Sequence, residues 1–180
     1  MLCKSINSRL VHISTDCVFS GQKGDYTEQD ICDAEDIYGR SKLLGEVSSS
    51  HAITIRTSII GHELESRNGL IEWFLSQEGS VKGYERAIFS GLPTCELAEI
   101  VRDYILPNPE TNGMFHLSAA PISKYELLKL VSNIYQNEVK IQRDDKVIID
   151  RSLNSGKFRK YFGYISPSWP DLISKMHRFQ

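Results

Sequence analysis

The run Leu10-Val11-His12-Ile13, apolar and β-branched, stops abruptly in Ser14-Thr15-Asp16, and that ending constrains the fold more than any other stretch. A short apolar run closed by a polar cluster reads as a buried strand of a parallel sheet. In open α/β sheets, ligands bind beyond the carboxyl ends of the strands, so Ser14, Thr15 and Asp16 fall where a site would be built. Strand-like runs recur at 52–57, 87–89, 114–118 and 139–141. Helical patterns fall between them, at 37–49, from Asn68 through Leu75, at 96–106, from Ser123 through Ile134, and from about Pro170 to the end. The helix over 96–106 places Leu97, Ile100, Val101, Tyr104 and Ile105 on one apolar face. Strands alternating with helices predict an α/β chain with parallel pairing. Asn68, Thr94 and Ser123 are the expected helix caps, and 91–94 an expected turn.

The helix expected over 37–49 carries Tyr38 and Lys42, four residues apart, which places phenol and ammonium on one face. An ammonium beside a phenol favours the phenolate and so eases release of its proton. A phenol so placed suits a general acid that protonates a ketone oxygen while hydride reaches the carbon. Thr15, at the strand end, is expected to give a hydrogen bond to the same oxygen. A solvated helix face would account for the tyrosine–lysine spacing alone, so the strand end matters to the reading.

Composition narrows the class. Charged residues make up 24% and hydrophobic residues 41%, ordinary values for a globular chain. A net charge of −2 argues against a general nucleic-acid or anionic-membrane binder. No apolar run approaches the ~20 residues that span a bilayer, and no signal-peptide core follows Met1, so a cytoplasmic setting is expected. Cys3, Cys17, Cys32 and Cys95 are widely spaced and lie apart from the scattered histidines, which predicts idle thiols and no metal site.

Three motifs then stand in order: Ser14-Thr15-Asp16-x-Val18-Phe19-x-Gly21, Tyr26-Thr27-Glu28, and Tyr38-Gly39-Arg40-Ser41-Lys42-Leu43-x-Gly45-Glu46. With Arg56-Thr57-Ser58-Ile59-Ile60-Gly61 after them, the chain closely resembles the extended short-chain dehydrogenase/reductases, and within them the dTDP-4-dehydrorhamnose reductase group. The resemblance is strongest over 11–61. It implies a nicotinamide cofactor, NADP or NAD, a nucleoside-diphosphate sugar as substrate partner, and a Rossmann-type sheet with a small α/β substrate-binding domain. Residues 1–60 and 86–118 would belong to the first, 61–85 and 119–180 to the second.

The resemblance also implies roles. Thr15, Tyr38 and Lys42 would be catalytic, with Thr15 touching substrate. Tyr38 and Lys42, the latter reaching the nicotinamide ribose, would hold cofactor with Thr57 and Ser58. Arg56 is equally readable as a structural ion pair or a ligand contact. Trp73 would stack on the nucleotide base or lie in the core. Arg151 would meet the diphosphate with its forked guanidinium, or make a surface ion pair. Lys157, Arg159 and Lys160 read as a solvated helix face.

One element of such a fold is absent from these residues. A dinucleotide fold needs a glycine-rich turn that delivers the pyrophosphate to a helix N-terminus, and none of the 12 glycines forms that pattern. The expectation is therefore a C-terminal portion of a reductase, inactive alone. Its first strand would have an open edge that invites a complementing N-terminal half or self-association. The rival expectation is a non-catalytic sugar-nucleotide-binding or regulatory module of the same family.

Overall fold

The computed structural model describes residues 2–63 and 69–179. In chain order its elements are α1 (Leu2–Ser5), β1 (Leu10–Thr15), α2 (Ile37–Leu44), β2 (Ala52–Thr57), β3 (Ile59–Ile60), α3 (Leu70–Leu75), β4 (Ser80–Tyr84), β5 (Ala87–Phe89) and β6 (Leu92–Pro93). They continue with α4 (Thr94–Ile100), β7 (Gly113–His116), β8 (Ile122–Ser123), α5 (Lys124–Tyr135), β9 (Lys140–Asp144), β10 (Ile149–Asp150), α6 (Gly156–Phe162) and α7 (Trp169–Arg178).

The central sheet is parallel, in the order β1-β2-β7. All six residues of β2, Ala-Ile-Thr-Ile-Arg-Thr, are buried because the strand is flanked on both edges. Its register sets Thr15 beside Thr57 and Arg56 beside His116. The strand at the amino-terminal side has the open edge expected of it but is less buried than its apolar run predicts. Residues 10–13 of β1 are only half-buried, and among the described residues β1 pairs with β2 alone, so it forms the sheet edge.

Among the described residues, three smaller sheets lie around this one. Ala87–Phe89 is a strand as expected, yet its partners are β10 and β8 rather than the central sheet. β3 pairs with β6, which makes a short strand of what reads as the turn at 91–94. β4 and β9 form a parallel ribbon. Gly83 in β4 has a reason to lack a side chain: a Cβ there would stand 2.6 Å from Ile141 Cγ2 and 2.7 Å from Tyr125 Cδ2.

One core runs through both kinds of sheet. Ile53, Ile55, Phe74, Phe115, Phe158 and Leu172 are all at most 2% exposed within a single cluster. Burying each such side chain contributes about 1.5–3 kcal/mol before entropy is counted. The expected helix over 96–106 begins earlier, at Thr94, and its last turn (Val101–Ile105) is π-helical, closed by Leu106 N–H donating to the Val101 carbonyl at 2.9 Å. The wider turn keeps Ile100 and Ile105 both buried.

Caps differ in instructive ways. Ser123 caps α5 through the Glu126 N–H, as expected. Pro93 rather than Thr94 is the N-cap of α4, and Thr94 lies in the first turn, close to Gly61. The expected cap Asn68 lies outside the described residues, and α3 begins after Gly69 without a side-chain cap. The basic residues of α6 are exposed while Phe158 on its other face is fully buried.

Candidate active site

The site forms where β1 ends and α2 begins. Thr15 closes β1 and caps a short 3-10 turn, Asp16–Val18, by accepting the Cys17 N–H at 3.1 Å. The chain then runs through a polar loop to Asp36, which caps α2 by accepting the Gly39 N–H at 2.7 Å. The helix packs tightly on the 3-10 turn. A Cβ on Gly39 would come 2.1 Å from the Cys17 carbonyl oxygen and 2.8 Å from Ala34 Cβ. That contact lets Tyr38 and Lys42 lean over the end of β1. Gly39→Ala is therefore expected to lose about 1–3 kcal/mol by overpacking, despite alanine's better helix propensity. Urea unfolding measures it, and a change within 0.5 kcal/mol of zero, on the order of surface substitutions, would contradict the tight-contact reading.

Helix α2 stops at Leu44, short of the expected residue 49. Gly45 is its C-cap, and the next residue, Glu46, is drawn into a buried ion pair instead of continuing the turn. Lys42 Nζ donates to the Ile13 carbonyl at 3.1 Å, so the ammonium is tied to β1 itself.

A cleft of about 300 Å³ opens over the carboxyl ends of β1 and β2. Thr15, Tyr38, Lys42, Thr57 and Ser58 all line it, so five of the eight residues singled out in the sequence meet in one place. Tyr38 is 57% exposed, which leaves its phenol free to face a ligand. Ile13, Ser14, Cys17 and Ile59 line the cleft as well.

The other three residues stand apart. Arg56, next to Thr57 on β2, points away from the cleft into a buried network. Its Nε and Nη2 donate to Glu46 Oε1 and Oε2 at 2.8 and 2.7 Å, and the paired side chains are 7% and 8% exposed. Of its two readings, the structure places Arg56 in the ion pair. Burial is the largest influence on Glu46 and would raise its pKa. Hydrogen bonds from Arg56 and Ser14 outweigh it, and the carboxyl lies below the usual range. Arg56 Nη1 approaches His116 Nε2 at 3.3 Å, while His116 Nδ1 lies 2.8 Å from the Tyr26 carbonyl. Since a carbonyl only accepts, Nδ1 carries the proton and Nε2 accepts from the guanidinium. Burial holds this imidazole neutral by lowering its pKa.

Trp73 is 38% exposed on α3, beside the fully buried Phe74, and is not part of the cleft wall. Arg151 stands at the cleft's margin. Its Nη1 donates to Cys17 Sγ at 3.4 Å and its Nη2 to Asp36 Oδ2 at 3.5 Å, while its Nε is buried without a hydrogen-bond partner. Glu46 could have been found from the sequence, because it closes the same motif that carries Tyr38 and Lys42.

The donor set fits the reactive end of a nicotinamide cofactor. An ammonium and two hydroxyl side chains at parallel strand ends suit ribose hydroxyls and a carboxamide, and the cleft is too small to enclose a whole dinucleotide. The chain's relatives bear on this directly. The sequence profile of the RmlD substrate binding domain matches residues 1–147. This chain belongs to that family.

Among curated relatives, the spore coat polysaccharide biosynthesis protein SpsK of Bacillus subtilis (strain 168) is 33% identical over 129 residues, which is 67% of this chain and 44% of that protein. A hypothetical dTDP-4-dehydrorhamnose reductase from Sulfolobus tokodaii superposes with a TM-score of 0.76 at 28% identity, over 93% of this chain and 64% of that one. The dTDP-4-dehydrorhamnose reductase of Bacillus anthracis str. Ames, solved in complex with NADP, gives a TM-score of 0.82 at 20% identity, over 98% and 67% of the two chains. At 20% identity the likeness shows the fold. This RmlD-family chain therefore has a mixed α/β, Rossmann-type fold, and it spans less than half of the curated relative and about two thirds of the solved ones. Among its described residues, no helix is long and apolar enough to cross a membrane.

Proposed function

We propose that this chain carries the catalytic groups of an NAD(P)H-dependent reductase acting on a nucleotide-activated 4-keto-6-deoxy sugar. The observation that supports it most is the convergence of Thr15, Tyr38 and Lys42 on one cleft at the strand ends. When bound, the reduced nicotinamide supplies hydride to the ketone carbon. Tyr38 gives its phenolic proton to the ketone oxygen, which becomes the alcohol. Lys42, tied to the Ile13 carbonyl, presents its remaining protons to the cofactor ribose. Thr57 and Ser58 close the cofactor side. Donors held in place before the reaction stabilise the developing alkoxide without having to reorganise.

Residues 1–60 and 86–118 form the cofactor side of this reading, and 61–85 with 119–180 the substrate side. Arg151 serves the diphosphate. It crosses from the substrate side to Cys17 at the cleft, and its unpartnered Nε leaves hydrogen-bonding capacity for an anion. In this reading a complementing half supplies the glycine-rich pyrophosphate turn along the open β1 edge, and the chain without it self-associates through that edge and does not turn over. A cytoplasmic setting fits the free thiols of Cys3, Cys17, Cys32 and Cys95.

Calorimetry with a dTDP or UDP sugar tests the substrate side. Binding in the millimolar range, lost in Arg151→Gln, is expected; no heat from a folded sample at millimolar ligand would contradict it. A second reading of the same cleft and of Arg151 is a non-catalytic sugar-nucleotide-binding module. That reading predicts the same binding but no turnover under any complementation.

A further inference from the structure

The Thr15 hydroxyl has one proton, and the cleft is not the only claimant. One lone pair of Oγ1 takes the Cys17 N–H at 3.1 Å, and Asp16 Oδ1 lies 3.1 Å from the same oxygen. Asp16 is 7% exposed and is not part of the cleft wall. An ionised carboxylate can only accept, so it draws the single Thr15 proton to itself and away from the cleft. A neutral carboxyl can donate instead. It then fills the second lone pair of Thr15 Oγ1 and leaves the Thr15 proton free to turn toward a ligand.

We propose that Asp16 is a positioning residue that acts through Thr15, its protonation deciding whether the Thr15 hydroxyl donates a hydrogen bond into the cleft. The inference rests on the reductase reading of that cleft and adds a control that the reading does not contain. Thr15 then alternates between two roles. With neutral Asp16 it stands beside Tyr38 as a second donor to the ketone oxygen. With ionised Asp16 it is a structural cap and nothing more, and Tyr38 acts alone.

The surroundings of Asp16 favour the neutral form more than water does. Burial is the largest influence and raises its pKa. Hydrogen bonds from Thr15 and Cys17 and the positive charge of Arg151 act in the opposite direction and do not cancel it. The ionisable groups facing the carboxyl are the Cys17 thiol on its own 3-10 turn and the Arg151 guanidinium from the segment after β10. An anion that paired with Arg151 would weaken that cation's hold on the ionised form and favour neutral Asp16. Substrate diphosphate would thus switch on the Thr15 donor that its own ketone needs.

Two measurements test this, one of them independent of activity. The pH profile of kcat/KM for NAD(P)H-dependent ketone reduction is expected to fall, as pH rises through the Asp16 titration, on the order of a hundredfold to a thousandfold, the loss of one donor of two. In Asp16→Asn an amide N–H donates to Thr15 Oγ1 at every pH, so the step disappears and the rate stays on the upper level. In Thr15→Val the rate sits at the lower level throughout. Carbon-13 NMR of the Asp16 carboxyl in the 180-residue chain gives the second readout. Removing the Thr15 hydrogen bond in Thr15→Val should move the Asp16 titration to higher pH, because that bond favours the ionised form. A step that persists in Asp16→Asn, or an Asp16 titration that Thr15→Val leaves in place or lowers, overturns the proposal. An upward NMR shift with no turnover on any nucleotide ketosugar instead leaves the Thr15–Asp16 coupling standing and overturns the reductase reading.

Discussion

Replacing Tyr38 with phenylalanine, in the chain complemented by a glycine-rich dinucleotide-binding half, is expected to lower turnover by about 10²–10⁴-fold with substrate affinity nearly unchanged. The substitution removes one oxygen from a side chain that is 57% exposed, so it leaves no buried group without a partner and costs little stability. What it removes is the proton that the ketone oxygen receives as hydride arrives. That interaction exists in the transition state and barely in the ground state, so kcat and kcat/KM fall together while KM holds. Lys42 would still be tied to the Ile13 carbonyl, and the cleft would keep its walls. Steady-state kinetics with both substrates varied decides it. A variant within a factor of a few of the parent would remove Tyr38 from the chemistry.

The second large effect concerns the fold beneath the cleft. Arg56→Leu would leave Glu46 buried, with the Ser14 hydroxyl as its remaining side-chain donor. Breaking a buried ion pair from one side costs about 3–5 kcal/mol, because the surviving charge stays desolvated. Here the lower end, about 3 kcal/mol, is expected, since Ser14 still donates at 2.7 Å. The linkage has a definite sign. Glu46 has a folded pKa below its unfolded value, so its contribution is present above the unfolded carboxylate range and is lost as pH falls through the folded value. Urea unfolding of the parent should therefore weaken with acid across that window, and Arg56→Leu should weaken less, having lost the interaction already. Replacing Glu46 and Arg56 together by methionine should recover much of the loss, because two well-packed apolar side chains remove both desolvation penalties. Losses that simply add, the double substitution costing the sum of the two single ones, would show that the pair is not coupled.

Much of this site was legible from the chain because its parts are local. The spacing of Tyr38 and Lys42 needs only a helical turn, and the Ser14-Thr15-Asp16 ending needs only a strand that stops. Both signals survive without knowledge of the rest of the fold. The strand Ala52–Thr57 was legible for the same reason, as an apolar run buried on both faces. Arg56 was ambiguous because strand alternation says which face a side chain takes but not what waits there. Its partner Glu46 lies ten residues away and becomes a neighbour only when α2 folds back along β1.

Long-range pairing defeated the sequence elsewhere. β4 alternates exposed and buried residues, yet it contains Gly83, and its partner β9 is 60 residues distant in register. Ala87–Phe89 is recognisable as a strand but carries no mark of the sheet it joins. The half-buried condition of β1 has the same origin. Its residues look like a buried strand, whereas its open edge, seen as pairing with β2 alone among the described residues, is as expected. Asp16 belongs to the polar strand ending, and its residue type alone does not say what it touches. Its contact with the Thr15 hydroxyl depends on the 3-10 turn that follows β1, which residue types alone do not announce.

The most direct test of the account is NAD(P)H oxidation by this chain, complemented with a glycine-rich dinucleotide-binding half, in the presence of a dTDP-linked 4-keto-6-deoxy sugar. The account predicts one equivalent of reduced cofactor consumed per equivalent of 4-hydroxy sugar formed, with the activity lost in Tyr38→Phe and absent when the glycine-rich half is omitted. Cofactor bound by the complemented protein but never oxidised, with the sugar nucleotide bound and unchanged, would contradict it and leave the cleft a binding site only.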